Sequence, residues 1–257
     1  HGRALYQEMY DQAKVKVHVV PCAFGGAEAG GWFAEEVTSV GDLEGLRMRI
    51  FGLGARVMMR QGVVPVLVPG SKIAEAFEDG KIDAAEAYTP VVDRTNGLQD
   101  AAKILYQPGW SQPATVFEFL VNQDRWDALG PERQSLIEST CGELLQRTLS
   151  ESANLQLAAL TAFASQDGVK ILTFPEDVQA ALREGWEDVA QEEGIRDYLF
   201  KEVLTDIETF RSGGEATAEA RNGAGKANGL NGNGADLKEK DAMPPPPPPG
   251  EAIPAGP

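Results

Sequence analysis

The stretch from Gly41 to Asp93, GDLEGLRMRIFGLGARVMMRQGVVPVLVPGSKIAEAFEDGKIDAAEAYTPVVD, holds the side chains best suited to chemistry. Arg49 sits inside the apolar run LRMRIF, between Met48 and Ile50. A guanidinium at such a strand position either reaches solvent or meets an anion. Its planar fork can clamp a carboxylate through two parallel hydrogen bonds, which Lys cannot reproduce. A structural ion pair with a nearby Asp or Glu is the competing use of that charge. Glu86 ends the apolar run IDAAEAY, at the edge where sites in α/β sheets commonly open. A carboxylate there could accept a hydrogen bond from a hydroxy acid, help hold a small cation that bridges ligand oxygens, or simply face water. Trp32, Phe33, Trp110 and Phe117 could line an apolar wall or serve as ordinary core.

The elements that must position these residues alternate in type. Short apolar runs alternate with segments of helical period, the pattern of an α/β lobe. Ala4 to Ala13 reads as a helix and Lys14 to Val20 as a half-buried strand, followed by a loop with Gly25, Gly26, Gly30 and Gly31. Strands are expected at Arg47 to Phe51, Val63 to Val68 and Ile82 to Tyr88, with helices at Gly52 to Gln61 and Ser71 to Asp79 between them. Ser71 is placed to cap the second helix and Gly80 to close it as a left-handed cap. Ile104 to Gln107 and Thr115 to Asn122 read as further strands, the latter almost continuously apolar, as in a covered sheet. Pro131 opens a helical pattern that runs to Gly168, about 50 Å at roughly 1.5 Å per residue, long enough to span two lobes. Ile171 to Phe174 is a short strand candidate, and two amphipathic helices follow at Pro175 to Gln191 and Asp197 to Arg211. Residues 212–257 are rich in Gly, Ala and Asn and end near six consecutive prolines, Pro244 to Pro249. That composition predicts a disordered tail with a polyproline stretch, acting as a linker or, alternatively, as a ligand for a proline-binding module.

Composition narrows the function classes. The 257 residues are 42% hydrophobic and 24% charged, enough to bury a core over one or two domains. No window reaches the roughly 18 consecutive apolar residues needed to cross a membrane, so no direct membrane insertion is expected. A formal net charge of −16 without a basic stripe argues against nucleic acid as a partner. It does not exclude an acid ligand, because one local cation in a desolvated cleft outweighs distant screened charges. Cys22 and Cys141 have small apolar neighbours, which predicts buried free thiols rather than a mutual disulfide. There is no Ser/His/Asp or Cys/His constellation, phosphate loop or dinucleotide fingerprint. The opening HGRALYQEMYDQA is helical in pattern and lacks the n-region and h-region of a signal peptide.

Several ordered blocks carry a resemblance. DLEGLRMRI, a G-x-x-P-V strand, the D-G-x-I-D-x-A-E sequence, GGWF at Gly30 to Phe33, PGW at Pro108 to Trp110, FEFLVNQDRWDAL and FPEDVQAALREGWEDVAQEE stand in one order between about Leu5 and Arg211. Together they resemble the DctP-type periplasmic solute receptors of tripartite ATP-independent periplasmic (TRAP) transporters, in the branch that binds keto acids and other small organic acids. The resemblance implies an α/β fold of the periplasmic-binding-protein-like type II class, with two lobes and a long hinge-spanning helix. It places the solute-binding domain at residues 1–211, with the first lobe incomplete because a leader and an N-terminal segment precede this point in the family. It also implies a periplasmic location, a small organic acid as ligand, TRAP membrane subunits as partners, and a homodimer among the assemblies open to it.

Residue by residue, the resemblance gives Arg49 the grip on the substrate carboxylate and puts Glu86 in the pocket, where some members bind a metal. Three departures bear on the ligand. Ala87 stands where that branch usually has Trp, with Tyr88 supplying an aromatic one position later, on the opposite side of an extended chain. Glu28 replaces a Gln of the GGWF loop, and two carboxylates facing one pocket would repel an organic anion unless a cation or proton intervenes. That favours either a ligand bridged by Ca²⁺ or Na⁺, with Glu28 and Glu86 as the metal-ligating pair, or a changed specificity, while an exposed Glu28 is the plainer alternative. Gln112 in PGWSQP matches a position that is often Glu and completes the expected ligand-binding set of Arg49, Glu86, Glu28, Tyr88, Trp32 and Gln112. The competing readings are an acid/base enzyme that uses Glu28 and Glu86, and an interaction fragment or degenerate receptor without transport.

Overall fold

A computed structural model describes the backbone of residues 2–227 and the side-chain environment of residues 2–212. Two compact units are distinguished, His1–Thr209 and Phe210–Pro257, and the site lies in the first. In chain order its elements are α1 (Gly2–Gln12), β1 (Val17–Gly25), β2 (Gly31–Phe33), β3 (Arg47–Arg49), α2 (Gly52–Met59), β4 (Val64–Val66), α3 (Ile73–Glu78), β5 (Ala84–Ala85) and α4 (Pro90–Thr95). There follow α5 (Leu98–Ala101), β6 (Ile104–Tyr106), β7 (Thr115–Asn122), α6 (Gln123–Asp127), α7 (Pro131–Ser165), β8 (Lys170–Leu172), α8 (Glu176–Arg196) and the start of α9 (Tyr198–Ala227).

Six strands form one sheet in the order β4-β3-β5-β2-β6-β8. Strand β3 runs parallel to β4 and β5, β6 runs parallel to β8, and β2 is antiparallel to both of its neighbours. Both faces are covered, and the alternation of side chains across a strand assigns each residue to a face. Phe33, Met48, Ala84 and Tyr106 join one apolar cluster with Val57 and Met58 of α2 and Val178, Leu182 and Val189 of α8. Trp32, Ala85 and Leu105 join the other, with Ile73 and Ala76 of α3, Leu98 of α5 and Phe163 of α7. A strand covered on both faces has no polar side, which is why all three residues of β2 are buried. Met48 points into the first cluster, so Arg49 turns to the opposite face at the carboxyl end of β3.

The second sheet is the antiparallel pair β1-β7, with an irregularity between Pro21 and Ala23. The chain passes between the two sheets through residues 26–30, through residues 107–114 and along α7. Helix α7 is 35 residues long with Pro131 at its first turn, as the uninterrupted helical pattern predicts. At its middle Thr148 Oγ1 accepts the Phe24 N–H at 2.8 Å. Further along, Gln156 Oε1 accepts the Val91 N–H at 3.0 Å, and the ring of Phe163 meets Trp32 edge-on at 5.1 Å. One rigid element thus touches both sheets.

Several expectations need correction. Cys22 and Cys141 form a disulfide rather than free thiols. Packing of α7 on β1 brings their Cα atoms to 4.2 Å across 119 residues of sequence, and the apolar surroundings of Val20, Trp126 and Ile137 enclose both sulfurs at once. Strand β7 forms where expected, but it is not a covered strand. Among the described residues its one strand partner is β1, and Val116, Phe117, Phe119 and Leu120 are exposed. The strand expected from Ile82 to Tyr88 is only Ala84–Ala85; beyond Glu86, whose N–H still reaches the Arg49 carbonyl, the Tyr88 N–H donates to Asp93 and its carbonyl accepts the Ala29 N–H instead of a strand partner. Ser71 caps nothing: it lies inside a 3₁₀ turn, Gly70–Lys72, that precedes α3. Gly80 does take the left-handed conformation, with φ 63°. The helical backbone of α9 continues through Ala227, past the Arg211 boundary, over a segment that contains the helix formers of EATAEAR. Residues 228–257, with the proline run, lie outside the described residues.

The disulfide closes a long loop, and cross-links of that kind typically contribute about 2–5 kcal/mol. A Cys22→Ser/Cys141→Ser double variant is expected to lose stability in that range in urea unfolding. Dithiothreitol should destabilise the unmodified chain by a similar amount and leave the double variant unchanged.

Candidate functional site

Parallel strands β3, β4 and β5 end side by side, and Arg49 occupies the last position of the central one. Its side chain is only 6% exposed. Nε donates to the Val68 carbonyl at 3.2 Å and Nη1 to the Glu86 carbonyl at 2.6 Å. The ring of Phe51 lies against the guanidinium, its centroid 4.8 Å from Cζ. No described carboxylate is within salt-bridge reach, so the structural ion pair is not formed, and Nη2 has no protein acceptor among the described residues. A buried guanidinium held by backbone carbonyls keeps its full charge for an external anion.

Three carboxyl groups lie within its field. Glu86, just past β5, accepts the Ser111 hydroxyl on Oε1 at 2.6 Å. Burial raises the pKa of Glu86, against the Ser111 hydrogen bond and the Arg49 charge, which lower it. Glu28 lies in the loop between β1 and β2. Burial first, then the charges of Glu86 and Asp93, push it up to about 7, while Arg49 lowers it. Asp93 in α4 is fully buried; burial raises it to about 7 although the Trp32 indole, the Tyr88 N–H and Arg49 all favour its charged form.

Two loops carry these groups and are laced together. The Glu28 N–H donates to the Gln112 carbonyl at 3.1 Å, and the Ala29 N–H to the Tyr88 carbonyl at 3.3 Å. Gly109 is required where the loops meet, since a Cβ there would lie 2.2 Å from the Glu28 carbonyl oxygen.

The expected site residues therefore divide. Arg49, Glu86 and Glu28 converge electrostatically. Gln112 stands at the rim, its side chain donating to Thr115 Oγ1 at 2.7 Å. Tyr88 is partly exposed, with its hydroxyl against Gly70. Trp32 is not a pocket wall: it has no exposed surface, and its Nε1–H donates to Asp93 Oδ2 at 2.8 Å. Phe117 is on the exposed β7 and is not packed with Trp32. Ala87 is buried in the second apolar cluster.

Asp93, Ser111 and Phe51 are contributors that sequence reasoning did not single out. Ser111 was signalled only by its place beside Gln112. Among the described residues no three His, Cys, Asp or Glu side chains are grouped to hold a metal ion. An open cleft of about 1090 Å³ between α1 and β1, lined by Arg3, Lys14, Lys16 and His18 among others, contains none of these residues. Its walls are ordinary surface side chains, so the buried cation marks the better site.

An α/β lobe with a free buried cation at the carboxyl ends of parallel strands, joined to a second sheet by two loops and a long helix, has the architecture of a two-lobed solute-binding protein. The chain belongs to the DctP family, bacterial extracellular solute-binding protein family 7, whose profile matches residues 1–197. It is 36% identical over 210 residues to a monocarboxylate 2-oxoacid-binding periplasmic protein of Nostoc sp., covering 82% of this chain and 57% of that protein. The chain thus spans little more than half the length of that relative. A TRAP periplasmic solute-binding protein from Pseudoalteromonas atlantica, solved with sodium and pyruvate, is similar with TM-score 0.76 and 30% identity over 88% of this chain and 68% of its own. A Bordetella bronchiseptica TRAP solute-binding protein, a mixed-occupancy dimer with calcium and picolinate, matches with TM-score 0.73 and 30% identity over 88% and 69%. One from Colwellia psychrerythraea with calcium and pyruvate matches with TM-score 0.77 and 27% identity over 88% and 69%.

The raised carboxyls make stability depend on pH in a defined direction. Asp93 has a reference value of 3.8 and is raised to about 7 in the fold, so between these values the unfolded chain binds fewer protons. Its stabilising contribution is full below the unfolded value and is lost as pH rises through the folded one. Urea unfolding is expected to show stability declining between pH 5 and 7, with a shallower decline in Asp93→Asn. The Asn side chain has one acceptor oxygen for two donors, Trp32 Nε1 and the Tyr88 N–H, so the variant should also lose about 1–3 kcal/mol at pH 5.

Proposed function

We propose that this chain captures a small monocarboxylate, a keto acid, hydroxy acid or related organic acid, as the receptor component of a TRAP-type transporter in the periplasm. The observation that carries the reading is Arg49: a buried guanidinium with no carboxylate partner and one edge unused among the described residues. The class of ligand follows from charge. One cation surrounded by Glu28, Glu86 and Asp93 suits an acid with a single carboxylate better than a diacid, whose second charge would meet only like charge. The disulfide accords with an oxidising compartment. The 2-oxoacid-binding name of the Nostoc relative and the pyruvate in two similar structures support the same class.

Glu28 and Glu86 are the residues that would hold a Ca²⁺ or Na⁺ ion, as the ions in the similar structures suggest. Such an ion would supply positive charge between the two carboxylates and the acid. Two protein carboxylates are fewer ligands than Ca²⁺ requires, so the acid's own oxygens and water would complete the shell. Asp93 has both oxygens engaged, by Trp32 and Tyr88, and acts by holding the loop after β5. Membrane subunits of the transporter are the partners, and self-association into a homodimer fits the dimeric Bordetella protein. The role is capture rather than turnover: Glu28 and Glu86 share one electrostatic site with a fixed cation suited to gripping an anion.

Calorimetric titration of the full chain with pyruvate and related 2-oxo acids, with and without Ca²⁺, tests the reading. Arg49→Met is expected to weaken binding by roughly 10- to 150-fold, the range of a charge-assisted hydrogen bond, and Arg49→Lys to recover only part. Unchanged affinity in Arg49→Met, or consumption of the acid, would refute it.

A further inference from the structure

The guanidinium of Arg49 is edged by apolar surface that gripping a carboxylate does not require. Phe51 lies against it and is 57% exposed, although a side chain of that size is normally buried. Its backbone is extended, with φ −145° and ψ 177° at the N-cap of α2, so the ring is not driven outward by a strained conformation. Leu67 adjoins Val68, whose carbonyl receives Arg49 Nε, and is 85% exposed. Tyr88 follows β5 and is 36% exposed. The three residues emerge just past the carboxyl ends of β3, β4 and β5, which are adjacent in the sheet, with Arg49 at the end of the middle strand.

Singly exposed apolar side chains need no explanation, but these three follow three adjacent strand ends, beside a buried cation that has no carboxylate partner among the described residues. Among the described residues Arg49 is the one cation that acts on Glu28 and Glu86, so polar extensions of a ligand are served on the side of these carboxyls and not along Phe51.

We infer that Phe51 is a specificity-determining wall. It selects monocarboxylates whose carbon chain carries a branched or aromatic apolar group over acids of two or three carbons. The inference rests on Arg49 as the carboxylate anchor. With the carboxylate on the free edge of Arg49, the acid's substituent lies along the Phe51 ring and is removed from water there, whereas a methyl group is too short to cover it. A pocket contact of this kind is worth about tenfold or more in affinity.

The test measures binding of pyruvate and of 4-methyl-2-oxopentanoate to the full chain, to Phe51→Ala and to Phe51→Leu. The unmodified chain should prefer the longer acid. Phe51→Ala should weaken binding of that acid by about tenfold or more while changing pyruvate by less than about threefold. Phe51→Leu keeps the apolar wall without the ring over Arg49 and should retain most of the preference. Equal losses for both acids in Phe51→Ala would mean that the ring only orders Arg49 and would overturn the inference, as would no change for either. Failure of the anchor reading has a separate signature: Arg49→Met would then bind both acids as the unmodified chain does, whatever residue 51 is. Because Phe51 is mostly exposed, its truncation leaves the core intact, and thermal melts of the variants check this.

Discussion

Removing a charge from water without a partner is among the costliest things a fold can do, and the arrangement around Arg49 is organised by that constraint. Its two bonds to the Val68 and Glu86 carbonyls come from the segments that follow β4 and β5, so both neighbouring strand ends must be in register for the cation to be tolerated. The Glu86 N–H in turn donates to the Arg49 carbonyl, tying the strand end back. Raised carboxyls nearby follow from the same scarcity of water. Burial is the first cause at Glu28, Glu86 and Asp93, and the single guanidinium only partly offsets it.

Asp93 shows how the core and the site share one component. Its oxygens receive the indole N–H of Trp32, on the buried face of β2, and the backbone N–H of Tyr88, on the loop that rims the site. A residue with no exposed surface thereby ties the loop after β5 to Trp32 in the core.

What could be read from the sequence was what depends on local pattern. Arg49 stood out because a cation in an apolar run violates the pattern around it, and Glu86 because it ends a run. The long α7 was legible from the uninterrupted helical period after Pro131, and the GGWF, PGW and D-G-x-I-D-x-A-E blocks carried the family. Long-range pairings were not legible. Asp93 at the first turn of a short helix looks like any acidic residue favoured there by the helix dipole, and only Trp32, 61 positions away, reveals its burial. Cys22 and Cys141 had surroundings that fit free thiols equally well, because the same apolar cluster holds both. The apolar run of β7 predicted a strand correctly but not its burial, since burial depends on what packs against it.

The lacing of Glu28 to Gln112 and the close fit of Gly109 to the Glu28 carbonyl have a mechanical meaning. Two of the three passages between the sheets are thereby joined and cannot shift independently of each other. Helix α7 touches both sheets beside them. Any displacement of one sheet against the other would therefore move Glu28, on the joined pair, relative to Arg49, while Glu86, bonded to Arg49 through its own backbone, would stay with the cation.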